Sequence, residues 1–105
     1  MLNFSFSKPD EVVSLLAERL RNERLVQQMT QSEVASRAGI GVNTLSNLEA
    51  GKNVGIENVI RVAMVLGRIK EIEALFLPKL ENIDDIMRYE KGVGRQRIRK
   101  GPHND

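Results

Sequence analysis

Between Thr30 and Gly51 the chain reads Thr-Gln-Ser-Glu-Val-Ala-Ser-Arg-Ala-Gly-Ile-Gly-Val-Asn-Thr-Leu-Ser-Asn-Leu-Glu-Ala-Gly, a run that prescribes two short helices joined by a tight glycine turn. Thr30 is a strong helix N-cap, and Glu33 stands three places on, where its carboxylate can reach back to the Thr30 backbone N–H in a capping box. A helix therefore begins at Gln31. Val34, Ala35 and Ala38 form its buried stripe, and Gly39 can take the left-handed conformation that ends a helix. Ile40 is apolar inside the turn Gly39-Ile40-Gly41, which fits a side chain plugging the angle between two helices. From Val42 the second helix runs with Leu45 and Leu48 inward and Val42, Asn43, Ser46 and Asn47 outward, until Gly51 ends it.

The flanking sequence continues the helical pattern. Ser7-Lys8-Pro9-Asp10 reads as a helix start, with Ser7 as cap and Pro9 in the first turn, where a missing N–H costs nothing. The spacing predicts a helix to about Gln27, with Val12, Leu15, Leu16, Leu20 and Val26 buried and Glu18, Arg19, Arg21, Glu23 and Arg24 solvated. After the loop 51–55, Ile56, Val59, Ile60, Ala63 and Leu66 stand at helical spacing and Gly67 closes that helix. A further helix is expected over 69–77, with Ile69, Ile72, Leu75 and Phe76 on one stripe and Pro78 blocking its continuation. The last ordered piece is expected over 83–89, with Gly92 and Gly94 breaking the chain after it. Upstream, Leu2, Phe4 and Phe6 alternate with Asn3 and Ser5 as in a short extended segment. The resulting division is an extended segment over 1–7, a helical domain over 8–91 and a flexible basic tail over 92–105.

The segment Thr30 to Gly51 resembles the helix-turn-helix of the lambda-repressor and Cro superfamily, also called the XRE family. The similarity extends from about Leu15 to about Gly67 and is carried by Thr30-Gln31-Ser32-Glu33-Val34-Ala35, Ala38-Gly39-Ile40 and Thr44-Leu45-Ser46-Asn47-Leu48-Glu49-Ala50-Gly51. Gly41 stands where many members have Ser or Thr, and Gly55 where many have Pro. The resemblance implies an all-α, lambda repressor-like fold of five to six short helices whose second motif helix enters the DNA major groove. On that footing Asn43 is the best base reader, because a carboxamide pairs bidentately with an adenine edge, and Val42 offers an apolar contact to a thymine methyl. Ser46 and Asn47 reach a base or a phosphate. Thr44, Lys52, Asn53 and Arg37 are expected on the backbone, which positions the protein without reading sequence. Gln31 lies at a helix N-terminus, where free N–H groups and the helix dipole attract phosphate, and in the family the matching glutamine touches backbone and braces the recognition helix.

Composition narrows the alternatives. The chain of 105 residues has no cysteine, which excludes disulfides, thiolate zinc sites and cysteine nucleophiles. There is no phosphate-binding glycine loop, no nucleophile with a paired base and no metal-ligand cluster, so neither an enzyme nor a cofactor is expected. No apolar run approaches the ~20 residues of a membrane span, and the expected compartment is the cytoplasm. The formal net charge is only +2, but it is unevenly spread. Arg88, Lys91, Arg95, Arg97, Arg99 and Lys100 crowd the end, while Glu71, Glu73, Glu81, Asp84 and Asp85 precede them. Spaced at alternate residues, Arg95, Arg97 and Arg99 would follow a strip of phosphates or an acidic surface on a partner in an extended chain. His103 stands in a polar tail with no metal or catalytic partners, and Asp84-Asp85 reads as favourable charge in the first turn of a helix.

The expected function is sequence-specific DNA binding by a transcriptional regulator acting as a homodimer on an inverted repeat. One short recognition helix makes few base contacts, whereas a dimer joins half-sites ~34 Å apart. Ile69, Ile72, Phe76 and Leu77 supply the expected dimer surface. The alternative rests on a second similarity. A helix-turn-helix followed by Leu-Gly-Arg-Ile-Lys-Glu-Ile-Glu-Ala-Leu-Phe and a tail ending Arg-Gln-Arg-Ile-Arg-Lys is similar to HipB-like antitoxins. These bind HipA-type serine/threonine kinase toxins and repress their own operon.

Overall fold

The computed structural model describes residues 8–99, with side chains as far as Arg95. Its helices are α1 (Pro9–Val26), α2 (Gln31–Ala38), α3 (Val42–Glu49), α4 (Ile56–Val65), α5 (Ile69–Glu73) and α6 (Ile83–Arg99). Among the described residues there is no strand, as the all-α expectation requires. The expected segment over 1–7 lies outside the described residues, as do residues 100–105 and with them His103. The chain divides after Glu73 into two compact units.

In the first unit, Lys8 rather than Ser7 is the N-cap of α1. Its N–H donates to a Glu11 carboxylate oxygen at 3.0 Å, and Pro9 occupies the first helical position, where no N–H is needed. The helix stops at Val26. Gln27 then donates its side-chain amide to the Leu66 carbonyl at 2.8 Å, fastening the end of α1 to the end of α4.

The core lies where α2 packs against α3 and α4, with α1 against α3. Val34, Ala35, Ala38, Leu45, Leu48, Val62 and Leu66 are buried there, and Leu20, Met29, Ile40, Val54 and Val59 close around them. Ile40 does plug the interhelical angle. The small Ala35 and Ala38 let two helices approach α2 on adjacent sides. Three expected core residues face out: Leu16 is 46% exposed, Val26 75% and Ile56 73%. Val26 ends α1 and Ile56 begins α4, where an apolar stripe runs out of neighbours. Val62, absent from the expected stripe, fills the centre instead.

Gly51 has a positive φ of +81°, and a Cβ there would fall 3.3 Å from the Ser14 Cα and 3.0 Å from its hydroxyl. The glycine thus permits both the backbone turn and the close passage of α1. At the other end of the motif Gly39 has φ +72°, and Arg61 from α4 donates to the adjacent Ala38 carbonyl at 3.2 Å. That bond caps an otherwise open helix end.

The helix after Gly67 is shorter than its apolar stripe predicts, because α5 ends at Glu73 instead of Leu77. Leu77 precedes Pro78, whose ring disfavours α backbone in the residue before it. Phe76 turns the chain with a φ of +57°.

In the second unit, Asn82 accepts a hydrogen bond from the Asp85 N–H at 2.9 Å and Asp85 accepts one from the Glu81 N–H at 3.2 Å, which together cap α6. The helix does not stop near Tyr89. It passes through Gly92 and Gly94 to Arg99, so the extended geometry expected for Arg95, Arg97 and Arg99 is replaced by a helical one. Each glycine costs a helix only about 1 kcal/mol, and basic residues in its last turns meet the negative end of the dipole. None of the described side chains of this unit is buried.

Candidate nucleic-acid interface

Helix α3 is two-sided by construction. Leu45 and Leu48 are buried at 0% and 3% exposure, whereas Val42, Asn43, Ser46 and Asn47 are all exposed. These four occupy an arc of about 140° at 100° per residue, so they share one outward face. Thr44 is half-buried beside the core. Gly41 caps the helix without a side-chain hydrogen bond, whereas α2 carries the full capping box. The Thr30 hydroxyl accepts from the Glu33 N–H at 3.0 Å, and Glu33 accepts from the Thr30 N–H at 2.8 Å. Chiefly that second bond holds the Glu33 carboxyl below its usual range.

The remaining expected contact residues sit around this face. Arg37, Lys52 and Asn53 are exposed. Arg37 lies 3.5 Å from the Met29 sulfur, and the Asn53 side chain accepts from the Gly55 N–H at 3.4 Å. Gln31 is half-buried, and its amide donates to a Glu49 carboxylate oxygen at 2.9 Å. The amide N–H is therefore turned to the protein. The dimer-surface residues divide: Ile69 and Ile72 are half-buried, while Phe76 is 94% and Leu77 62% exposed.

Arg24 corrects the sequence reading most sharply. Expected in solvent, it is only 7% exposed. Its guanidinium makes a forked pair with Glu49, Nε to Oε2 at 2.7 Å and Nη2 to Oε1 at 3.0 Å, and donates from Nη1 to the Met29 carbonyl at 2.9 Å. Burial pushes the Glu49 carboxyl up, but hydrogen bonds from Arg24 and Gln31 and the charges of Arg24 and Arg21 outweigh it, leaving the group below its ordinary value. This cluster joins α1, the start of α2 and the end of α3. It fixes how far the outward face of α3 stands from the α2 N-terminus. Its sequence signal was positional: Arg24 follows Ala17 and Leu20 at helical spacing on the inward stripe, and only its charge argued for solvent.

The arrangement presents polar, hydrogen-bonding side chains on one short helix beside the N-terminus of a second. Among the described residues no cluster of three His, Cys, Asp or Glu can hold a metal, and no helix is long and apolar enough to cross a membrane.

A search of curated proteins finds no match to the chain. A helix-turn-helix family profile does match, over residues 20–73, about half of the sequence and all of α2 to α5. With the two-helix motif, its glycine turn and the exposed polar face of α3, this match settles the family: the chain belongs to the lambda-repressor-like, XRE-type helix-turn-helix proteins, and is a DNA-binding transcriptional regulator.

Proposed function

We propose that the protein is a repressor that binds an inverted-repeat operator as a homodimer, each copy laying α3 in the major groove. The observation that carries this reading is the outward quartet Val42, Asn43, Ser46 and Asn47 on a helix anchored by Leu45, Leu48 and the Arg24–Glu49 pair. Asn43 reads a base edge and Val42 meets a thymine methyl. Ser46 and Asn47 reach bases or phosphates, and Thr44, Arg37, Lys52 and Asn53 hold the backbone. Gln31 contributes its backbone N–H to phosphate and its side chain to Glu49. Ile69, Ile72, Phe76 and Leu77 lie in or near the dimer contact, with Phe76 combining near-complete exposure and a left-handed backbone. A DNA target places its work in the cytoplasm.

Selection of bound sequences from a random DNA pool tests the reading directly. A two-fold symmetric consensus is expected. A single asymmetric site rejects the dimer, and no enrichment rejects sequence-specific binding. Asn43→Ala should then weaken binding to the selected site by ~1–3 kcal/mol and relax one position per half-site, with random DNA almost unaffected. Equal losses on both reject base reading by Asn43.

A second reading, an antitoxin of the HipB-like kind that neutralises a HipA-type kinase, draws on the exposed apolar side chains after Glu73. Such a protein also binds DNA. Co-purification with the product of the adjacent gene, lost on deleting residues after Lys91, would favour it.

A further inference from the structure

We infer that an uncovered apolar stripe on the first half of α1 is the docking surface of the chain's own N-terminal segment, Leu2-Asn3-Phe4-Ser5-Phe6, folded back along the helix. Pro9, Val12, Val13, Leu16 and Leu20 fall within one arc of about 100° on α1, and no charged residue enters that arc before Glu23. The core uses only one end of it. Leu20 packs against the buried cluster, whereas Leu16, one turn nearer the N-terminus, is 46% exposed and Val13, two turns nearer, is 44% exposed.

Pattern, spacing and tether select the occupant. Leu2, Phe4 and Phe6 alternate with Asn3 and Ser5, so in an extended chain the three apolar side chains leave from one side. Alternate residues of a strand stand about 6.6 Å apart, close to the roughly 6 Å between helix positions four apart. A segment running back from Pro9 therefore sets Phe6 beside Val12 and Val13, Phe4 beside Leu16 and Leu2 beside Leu20. The start of α1 favours that direction: the Lys8 N–H donates to a Glu11 carboxylate oxygen at 3.0 Å, as in a capping box, where an apolar residue before the cap packs on the fourth helical position, here Val12. Joined only two residues from the helix, the segment meets the stripe at an effective concentration in the millimolar range, ahead of any separate molecule at lower concentration. No Lys or Arg precedes Lys8, so no basic side chain draws the segment to phosphate instead.

NMR of the full chain tests the docking, because with three Phe and one Tyr each ring can be assigned singly. The expected result is nuclear Overhauser contacts from the Phe4 and Phe6 rings to the Val13 and Leu16 methyls, arising within one chain when labelled and unlabelled copies are mixed. Ring contacts only between copies, ring contacts to another element, or no ring contacts at all overturn it. Thermal unfolding supplies the second readout. Phe4→Ser/Phe6→Ser should lower the midpoint by at least about 4 °C. Leu16→Ser should lower the midpoint of that double variant by less than it lowers that of the unmodified chain, since the contact it removes is already gone. Leu16 lies outside the buried cluster, so the variants keep the helical fold that the measurement needs. Strictly additive shifts overturn the pairing of the segment with Leu16, and an unchanged midpoint in Phe4→Ser/Phe6→Ser overturns the docking. Weakened DNA binding by that variant at an unchanged midpoint would assign the segment to DNA.

Discussion

Arg24 and Glu49 stand 25 residues apart and meet through a two-pronged hydrogen-bonded pair, their side chains 8% and 4% exposed. Removing Arg24 leaves the Glu49 carboxylate buried without its forked cation, with the Gln31 amide still donating to it. Arg24→Ala should accordingly cost about 3–5 kcal/mol, read from urea unfolding, whereas Arg24→Met combined with Glu49→Leu should recover most of the loss, because an apolar pair of similar volume has no charge to desolvate. Equal losses in the two variants would mean that packing, not charge pairing, sets the cost. The same carboxylate makes stability pH-dependent. Its folded pKa is lowered, so the unfolded chain takes up the proton at a higher pH than the folded one. The stabilisation is complete above the unfolded value, about 4.3, and is lost as pH falls through the folded value. Glu33, held down chiefly by the Thr30 N–H, and Glu71, held down chiefly by its hydrogen bond from Arg68, act in the same direction. The urea midpoint should thus drop on acidification below about pH 4.3, and less steeply in Glu49→Gln. A midpoint independent of pH there would contradict the assignment.

At the scale of elements, the two motif helices begin differently. Helix α2 has both halves of its capping box, while α3 starts from Gly41 with no side-chain cap. Gly41 has φ −74° and ψ 153°, which any L residue adopts, and a Cβ there would lie 3.9 Å from the Thr44 hydroxyl, an ordinary contact. Gly41→Ser should therefore raise stability by about 0.5–1 kcal/mol, by capping α3 and by restricting the unfolded chain. Thermal unfolding measures it, and a lowered midpoint would show that the hydroxyl fails to reach the helix N–H groups. The lengths of α5 and α6 depart from expectation for different reasons. Pro78 acts one residue upstream of itself, so the backbone is already turning at Phe76. Gly92 and Gly94 weaken a helix without forbidding it.

For the whole molecule, every residue of the buried cluster lies between Val34 and Leu66, and the residues packed against it reach back only to Leu20. Among the described residues, the unit ending at Glu73 contains every buried side chain and the complete helix-turn-helix. A chain truncated after Glu73 should fold cooperatively, with a thermal midpoint close to that of the full chain. On the homodimer reading it should also lose the gain in affinity expected of the full chain for a double over a single half-site. A truncated chain that does not fold would mean that residues beyond Glu73 complete the core.

The sequence by itself determined the all-helical class, the bounds of α2 and α3, the capping box at Thr30 and the inward placement of Leu45 and Leu48. All of these depend on interactions within a few residues: a hydroxyl and a carboxylate three apart, a glycine at a left-handed position, a 3.6-residue period. It also brought the outward face of α3 into view, because a helix with one apolar stripe has the complementary face by geometry. What it left undetermined depends on contacts between distant segments. Arg24 reads as a surface cation until Glu49 and the Met29 carbonyl arrive beside it, and only the fold shows that the Gln31 side-chain amide takes Glu49 as its partner. Val62 and Ile56 both belong to an apolar helix, and only the position of α2 decides which is 1% and which 73% exposed. Burial is a property of what packs against a residue, and only the tertiary fold supplies that neighbour.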